Sequence, residues 1–507
     1  MLCLDSSLSV TFNLGISSVF RPSGANTLYA IVGFLMTRFK PVRFLPLLIL
    51  AIFAMSSCSG PKGGNVCKVN CGGGGGETLN VTASAVPIGV PGTISILSFT
   101  ADISEITIKD ASNLVMNITP SNPNVDLNKL LSDSVYLGHA NPASSILMTS
   151  QITISSAQVV YCTSTTGVAG CNAGSIKTVT STGSQTIIDN ALPTFPSNAT
   201  KMGARLEFNM KNALVLNATG TAVTSIDFTQ PLSLQWEGLP LSLNLASGQL
   251  DYLEDITGVV TNESSTSVTI QSATGGTFTA NIVTGTSNLL VPPAVGQVAD
   301  MDVILNNDGT LTVQTFDVLN ATSIDAVEGV IGYAPTLNNQ FQFVVTNFQQ
   351  ATTGSLINTN LHLGDPVTVT LSAGTSFAID AKGLTLPGGA SSFTGVQPAT
   401  TLLPGQVVVV SPTAFTGANG ATPAAITVNG LALRFSRLSG FPSTAGPNFP
   451  FLPIGPYFGG QTVSTFETTG VTNDELIGGS LTPGSLAAIR GLYFGTSSGF
   501  AVAKVRQ

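Results

Sequence analysis

Charged side chains are scarce in this chain. Asp, Glu, Lys and Arg make up 9% of its 507 residues, against roughly 25% in an ordinary soluble domain. Only two histidines and one tryptophan are present. A surface with so few charges must be built from hydroxyl and amide side chains. That composition is common in exported β-proteins and rare in cytosolic enzymes and nucleic-acid-binding proteins.

Positive charge is especially scarce beyond the N-terminal region. After residue 57 the chain has 14 Lys and Arg against 25 Asp and Glu, a net charge of −11. Nucleic acids are bound through clusters of positive charge that neutralise their phosphates. The sequence has no such cluster, and nucleic acid is therefore not an expected partner.

Catalytic motifs are also missing. His139 and His362 stand in turn-like sequences, and the chain has neither a Gly-x-Ser-x-Gly elbow nor a His-Glu-x-x-His motif. A catalytic histidine needs an orienting partner beside it. We therefore expect both histidines to be ordinary surface residues.

The few carboxylates do not form an evident catalytic pair. Glu254–Asp255 and Asp474–Glu475 are sequence neighbours, which point to opposite faces of a strand. Asp300 and Asp302 would share one face. We interpret all of them as solvated strand edges, and we predict no catalytic residue, cofactor or metal site.

The chain does have an export signal ahead of a cysteine. Three basic residues precede an apolar run of 11 residues, Leu45–Met55. A spanning helix needs roughly 20 such residues, whereas the apolar part of a signal peptide has about 7–15. Two serines and Cys58 follow, in the order of a lipoprotein cleavage box. We predict a signal peptide at 36–57 that is cut before Cys58; the alternative is an uncleaved anchor.

The cysteine sulfur is the atom that can carry a thioether-linked diacylglycerol. An anchor with more than one acyl chain binds membranes firmly. Because Ser59 rather than Asp follows Cys58, the predicted location is the cell envelope, at the outer membrane of a two-membrane bacterium. Residues 1–35 have no role in this scheme, and we interpret them as an extension from a misplaced start codon.

The remaining cysteines form two close pairs. Cys162 and Cys171 flank a short glycine-containing loop between apolar runs, and an oxidising compartment favours a disulfide there. Cys67 and Cys71 lie in a glycine-rich tether at 58–78, which would hold the folded part clear of the membrane. These two could pair with each other. A zinc site is less favoured, because it would need further ligands.

The sequence from Leu79 onward predicts β-strands. Short alternating runs rich in Val, Ile and Thr, such as Thr277–Val283, are separated by Gly, Pro and Asn. No long apolar period of 3.6 residues is present after the signal. Only Val125–Leu131 is compatible with one or two helical turns.

The second half of the chain repeats a pattern. Each unit has a β-run through glycine and, later, a glycine-centred turn that enters another strand. The pairs of glycines are Gly258 and Gly296, Gly329 and Gly405, and Gly440 and Gly484. Their spacing varies, which favours small barrels of about five strands with variable loops over a solenoid of fixed period.

Two segments carry a resemblance to a known family. Together with the signal and the tether, Val125–Asp133 (VDLNKLLSD) and Gly203–Asn217 (GARLEFNMKNALVLN) resemble bacterial lipoproteins. The N-terminal β-sandwich of those lipoproteins is the domain of unknown function numbered four-three-eight-two. The repeats resemble a second uncharacterised family, of OB-like barrels, that often follows it. Neither family implies a catalytic residue.

We therefore predict an all-β chain, with a β-sandwich followed by two or three OB-like barrels. The predicted boundaries are 79–250 for the sandwich, 252–325 for the first barrel, 326–434 for the second barrel with an insertion, and 435–507 for the third barrel.

Aromatic residues cluster near the C-terminus. Phe449, Phe451, Tyr457 and Phe458 lie among prolines and glycines, in a loop that could be an exposed ligand patch or a plug over a barrel. Large exposed apolar patches are uncommon, which favours the plug. Trp236 stands in a β-run and is expected in the core.

Three functions remain open at this point. Our prediction is a non-catalytic binding or scaffold protein at the cell surface, with a polysaccharide or a surface protein as its partner. The second is a carbohydrate-binding lipoprotein that uses the aromatic loop. The third is a glycan hydrolase whose carboxylates are brought together by the fold.

Overall fold

Nearly all regular structure in the chain is β-strand, which confirms the all-β prediction. The computed structural model describes residues 77–507 except 88–93, 165–167, 173, 243, 274–275, 323, 335–338, 358–360, 389, 421, 455–456, 468–472, 477–478 and 497. The helices in these ranges are single turns, α1 at Met210–Ala213 and 3-10 turns at Lys129–Leu131, Ala390–Phe393 and Ala399–Thr401. None of the described helices has the length and apolar character to cross a membrane.

Several predictions on the N-terminal region lie outside the described residues. These are the extension at 1–35, the signal peptide at 36–57, lipidation of Cys58, and pairing of Cys67 with Cys71.

The first module is a β-sandwich of twelve strands. They are β1 Thr78–Ala85, β2 Ile94–Asp110, β3 Val115–Ile118, β4 Asn124–Asp126, β5 Val135–Ala140, β6 Leu147–Thr163, β7 Lys177–Thr180, β8 Gln185–Asp189, β9 Lys201–Phe208, β10 Leu214–Leu216, β11 Val223–Ile226 and β12 Leu234–Gly238. One sheet has the order β12-β9-β1-β5, and the other is built on the long antiparallel pair β2 and β6. Side chains of both sheets, such as Val81 and Phe99, share one buried core.

Three small barrels follow. Their strands are β13 Gln249–Glu263, β14 Ser267–Gln271, β15 Thr277–Asn281, β16 Asn288–Leu289, β17 Val298–Asn306 and β18 Leu311–Asn320 in the first; β19 Ala326–Tyr333, β20 Gln340–Gln349, β21 Pro366–Ile379, β22 Gly395–Val396, β23 Val407–Thr416 and β24 Ala424–Arg434 in the second; and β25 Ser436–Pro442, β26 Pro450–Pro453, β27 Val463–Glu467, β28 Asn473–Glu475, β29 Ala487–Tyr493 and β30 Phe500–Arg506 in the third.

All three barrels have the same strand order. Apart from the short strands β16, β22 and β28, each barrel has five strands. The first three form a meander, and the third pairs in parallel with the fifth. The fourth strand pairs with both the fifth and the first. The parallel closing pairs are β15 with β18, β21 with β24, and β27 with β30. The predicted OB-like barrels are therefore present, closed by five strands each.

The repeated glycines have one structural role in each barrel. At Gly258, Gly329 and Gly440 a Cβ would lie 2.2 to 2.3 Å from an atom of the second strand of the same barrel. Only glycine allows the first two strands to approach that closely. The turn glycines Gly296, Gly405 and Gly484 have φ values of 89°, 87° and 76°, in the left-handed region that glycine adopts without strain.

Candidate functional site: a buried charge hub

The sandwich and the three barrels meet around a group of buried ion pairs, which we call the charge hub. Its cations are Lys129, Arg205, Lys382, Arg434, Arg437, Arg490, Lys504 and Arg506, and its anions are Asp133, Asp251, Glu254, Asp255, Asp300, Asp302, Glu328, Asp380 and Glu475. Lys129 is the most exposed of these side chains, at 14%. Eight of the twelve Lys and Arg between residues 77 and 507 thus belong to the hub.

The barrels have no other basic residues. Every Lys and Arg after Lys211 belongs to the hub, although this stretch contains 296 of the 507 residues. The outer surface of all three barrels therefore carries no Lys or Arg side chain.

Lys382 and Asp255 lie at the centre of the hub. The Lys382 ammonium is 3.0 Å from Asp255 and 2.5 Å from Asp300, so a cation of the second barrel joins two carboxylates of the first. Arg490 of the third barrel also pairs with Asp255, at 3.0 Å. Arg434 pairs with Asp300 across the same interface. The centre therefore links all three barrels.

The sandwich joins the hub through the turn that follows β4. Lys129 lies 3.1 Å from Asp255, and Asp133 lies 2.6 Å from the Arg437 guanidinium of the third barrel. The backbone N–H of Ser134 donates to Glu254 of the first barrel at 3.0 Å. These residues belong to or directly follow the segment VDLNKLLSD, which forms β4 and a single 3-10 turn.

A second group of ion pairs flanks the centre. Arg205 of the sandwich pairs with Asp251 of the first barrel at 2.5 Å and with Glu475 of the third. Arg506 pairs with Glu475 at 3.1 Å and donates to the carbonyl oxygen of Asp133 at 2.9 Å. The last strand of the chain is thereby fixed to the sandwich.

The prediction of solvated carboxylates is wrong. Glu254, Asp255, Asp300, Asp302 and Glu475 are buried, and Asp474 is half-buried. Register shifts in the β13–β17 ladder fall between Leu253 and Ile256, and Asp255 has φ 59°. This bulge removes the strict alternation of side chains, so both members of the Glu254–Asp255 doublet enter the hub.

Four hub carboxylates are held in the charged form. Burial alone would raise the pKa of each, but nearby guanidinium and ammonium groups lower the pKa of Asp133, Asp255, Asp300 and Glu475 below the ordinary value.

Two hub carboxylates behave differently. Burial raises the pKa of Glu254 to about 7, although Lys504 opposes the shift. Burial also raises the pKa of Asp380 to about 6, against Arg434, and a hydrogen bond with Asp317 of the first barrel adds to the rise.

The carboxylates of Asp255, Asp300 and Asp302 lie close enough together to suggest a metal site. Lys382 and Arg490, however, already contact them at 2.5 to 3.3 Å. Because these side chains supply the positive charge that a metal would bring, the cluster is better explained as part of the hub.

A narrow cleft opens over the hub where the sandwich meets the first two barrels. It has a volume of about 80 Å³ and includes Asp126, Lys129, Glu254 and Phe278 in its lining. Both oxygens of Asp126 accept hydrogen bonds, from Ser98 and from backbone N–H groups. Both oxygens of Glu254 are likewise taken, by Ser134 and Lys504. Asp126 is thus bonded within the sandwich, and Glu254 joins the first barrel to the sandwich and the third barrel, so both carboxylates already have structural partners.

The aromatic loop is not an exposed ligand patch. Phe449, Phe451 and Tyr457 are at most 4% exposed, and Phe458 packs against them. Phe449 and Phe451 fill the core of the third barrel. The interpretation that the sequence favoured, a buried plug, agrees with the burial of these side chains.

Tyr457 forms a second junction between the modules. Its backbone N–H donates to the Ser95 hydroxyl of the sandwich at 3.1 Å. Its own hydroxyl donates to the carbonyl oxygen of Ile331 and accepts from the N–H of Gly405 at 2.7 Å, both in the second barrel. One residue of the third barrel therefore bonds to two other modules, through its backbone to the sandwich and through its side chain to the second barrel.

The disulfide expected between Cys162 and Cys171 is present and buried. The loop that it closes reaches the Tyr457 junction. The N–H of Gly170 donates to the carbonyl oxygen of Tyr457 at 2.5 Å, and the N–H of Cys171 donates to Gly332 at 3.0 Å. The disulfide thus holds a docking loop of the sandwich against the second and third barrels.

The tryptophan and the two histidines take no part in the hub. Trp236 is buried, as expected, and donates to the Ser150 hydroxyl at 2.8 Å. His139 lies in β5 rather than in a turn, 3.2 Å from the Tyr136 hydroxyl. His362 is exposed beside Asp365.

A scan against protein-family models, a search of curated proteins and a search of solved structures each found no match to this chain.

Proposed function

We propose that this chain is a non-catalytic binding or scaffold protein, anchored in the bacterial cell envelope by lipid on Cys58. The observation that carries the proposal is the charge hub. It uses every basic side chain after Lys211 to join four modules, and so favours a rigid body over moving parts. The disulfide supports export, because such bonds persist in oxidising compartments.

A hydrolase has less support. A glycosidase needs two carboxyl groups on either side of an open substrate site. The carboxylates that this fold brings together are buried and bonded to Lys, Arg and backbone N–H groups.

The anchor is tested with a Cys58→Ser variant expressed in the natural host. The wild type should enter the membrane fraction and begin at a lipid-modified Cys58, by intact mass. The variant should leave that fraction. Cys67→Ser is the matched control, because it removes a nearby tether cysteine and should leave the anchor intact. A wild-type chain that is soluble and begins at residue 1 would contradict the proposal.

A further inference from the structure

The strands that carry the buried aromatic loop have a second, outward face. Side chains alternate along a strand, so Phe451 and Val463 point into the third barrel while their neighbours point out. The exposed large side chains on this face are Phe441 on β25, Leu452 on β26 and Phe466 on β27, with 39%, 42% and 41% exposure.

These three side chains form a stripe across the sheet. Phe441 and Leu452 are directly opposite each other in the ladder of β25 and β26. Pro450 follows on the same face and stands opposite Ser464. Phe466 comes two residues later, and strand spacings place it on the order of 15 Å from the Phe441–Leu452 pair.

The Phe466 ring packs directly against Gly499, which has no side chain, and this contact fixes the position of the ring. A Cβ at Gly499 would lie 2.5 Å from the Phe466 ring. The ring therefore packs over bare backbone. A position fixed in advance reduces the entropy that binding would cost.

The outward side chains of this face are uncharged. Its other outward residues include Ser443, Asn448, Thr462 and Ser464, which offer hydroxyl and amide groups. The basic residues of this barrel all lie in the hub. An anionic lipid or a nucleic acid would find no cation to pair with.

The size of the apolar stripe argues against a second copy of the chain. Large apolar side chains have roughly 150–250 Å² each, so three that are about 40% exposed offer on the order of 250 Å². A stable protein interface buries about 800 Å² on each partner.

A sugar fits the chemistry of this face. The C–H face of a sugar ring matches an aromatic ring, and sugar hydroxyls match the neighbouring hydroxyls and amides.

We propose that the face formed by Phe441, Leu452 and Phe466 binds a linear, uncharged polysaccharide. The stripe is long enough for several sugar units. This proposal rests on the proposed function, because it names the class of partner that the non-catalytic protein binds.

The test uses the purified full chain and three uncharged hexasaccharides, namely the β-1,4-linked, β-1,3-linked and α-1,4-linked glucose oligomers. Calorimetric titration should detect binding of at least one. Phe441→Ser and Phe466→Ser should each weaken binding at least tenfold. Val396→Ser is the matched control, because Val396 is 69% exposed on the second barrel, and it should bind like the wild type.

Several outcomes would overturn the inference. They are the absence of binding to all three oligomers, equal binding by both Phe variants, and a wild-type dimer in sedimentation that Phe441→Ser abolishes. The last result would show that a second copy covers the face. None of these results bears on the lipid at Cys58, so failure of this inference is distinguishable from failure of the proposed function.

Discussion

Asp255 and Lys382 lie in different barrels, both have left-handed backbone conformations, and their side chains form a buried ion pair of 3.0 Å. Non-glycine residues rarely adopt this conformation unless the surrounding structure holds them there. Here φ is 59° at Asp255 and 46° at Lys382. The two barrels therefore meet with backbone strain on both sides, offset by the charges that the strain brings together.

The first prediction concerns the charge at Asp255. Asp255→Asn should lower the free energy of unfolding by about 3–5 kcal/mol, the typical cost of breaking a buried ion pair by removing one partner. Lys129, Lys382, Arg437 and Arg490 would all lose an anion. Asn tolerates the left-handed region, so the substitution tests charge rather than backbone. Urea unfolding measures the loss.

Two further variants complete this experiment. Glu105→Gln removes an exposed carboxylate that does not belong to the hub and should change stability by less than about 0.5 kcal/mol. Asp255→Asn combined with Lys382→Met should recover part of the loss, because it removes both charges of one pair. An Asp255→Asn protein as stable as the Glu105→Gln control would contradict the role given to the hub.

The second prediction concerns pH. A carboxyl whose pKa is raised by folding binds its proton more tightly in the folded state, so stability falls as pH rises through the window between its unfolded and folded pKa. That window runs from 4.5 to about 7 for Glu254 and from 3.8 to about 6 for Asp380. Carboxyls with a lowered pKa, such as Asp255, act oppositely and lose their contribution below 3.8.

These two effects place the stability maximum on the acidic side, near pH 4. Between pH 5 and pH 7.5 the free energy of unfolding should fall by up to about 4 kcal/mol, since each pH unit of such a window is worth about 1.4 kcal/mol. Glu254→Gln should be less stable than the wild type but should lose less stability over this interval. A wild type whose stability rises steadily from pH 5 to pH 7.5 would show that Glu254 and Asp380 do not titrate in this window.

The barrels could be predicted from the sequence, but the charge hub could not. The barrels repeat a glycine whose need is local, since Gly329 must let β19 approach β20. Trp236 and the close pair Cys162 and Cys171 also depend on short-range patterns. The pair Arg434 and Asp300, by contrast, is separated by 134 residues, and no local pattern connects the two.

One sequence pattern could have predicted the hub. Its cations stand alone inside apolar strands, as Arg490 does in AAIRGLY and Lys504 does in FAVAKVR, and every residue of both strands is buried. A lone Lys or Arg in such a run must find an anion inside the protein, because an unpaired buried charge costs too much free energy. The carboxyl doublets were the available anions.

The third prediction concerns the disulfide. Replacing both Cys162 and Cys171 with Ala should cost about 2–3 kcal/mol in the chain-entropy description of a loop of nine residues. Part of the cost should appear as increased hydrogen exchange at Gly170 and Cys171, which bond to the other modules. Reduction of the wild type provides the matched comparison. If either thiol of the unreduced native protein reacts with an alkylating agent, the disulfide is not formed.

The fourth prediction follows from where the basic residues lie. Trypsin cleaves after Lys and Arg that are exposed in a segment able to enter its active site. Lys201 and Lys211 are exposed, whereas every Lys and Arg beyond them is in the hub. Trypsin should therefore leave a stable C-terminal fragment, residues 212–507, when it digests the native protein. Under the same conditions, heat-unfolded protein should be cut at all six hub Lys and Arg residues of that region.

A gain-of-cleavage variant makes this test independent of general protease resistance. Thr353 is exposed in the loop after β20, and Thr353→Lys should introduce a single new cut in the native protein. If the wild type is cut at Arg434 or Arg437 as rapidly as the variant is cut at position 353, the hub opens in solution. The four modules would then be separate bodies that only touch, because cleavage there requires the ion pairs between the second and third barrels to be broken.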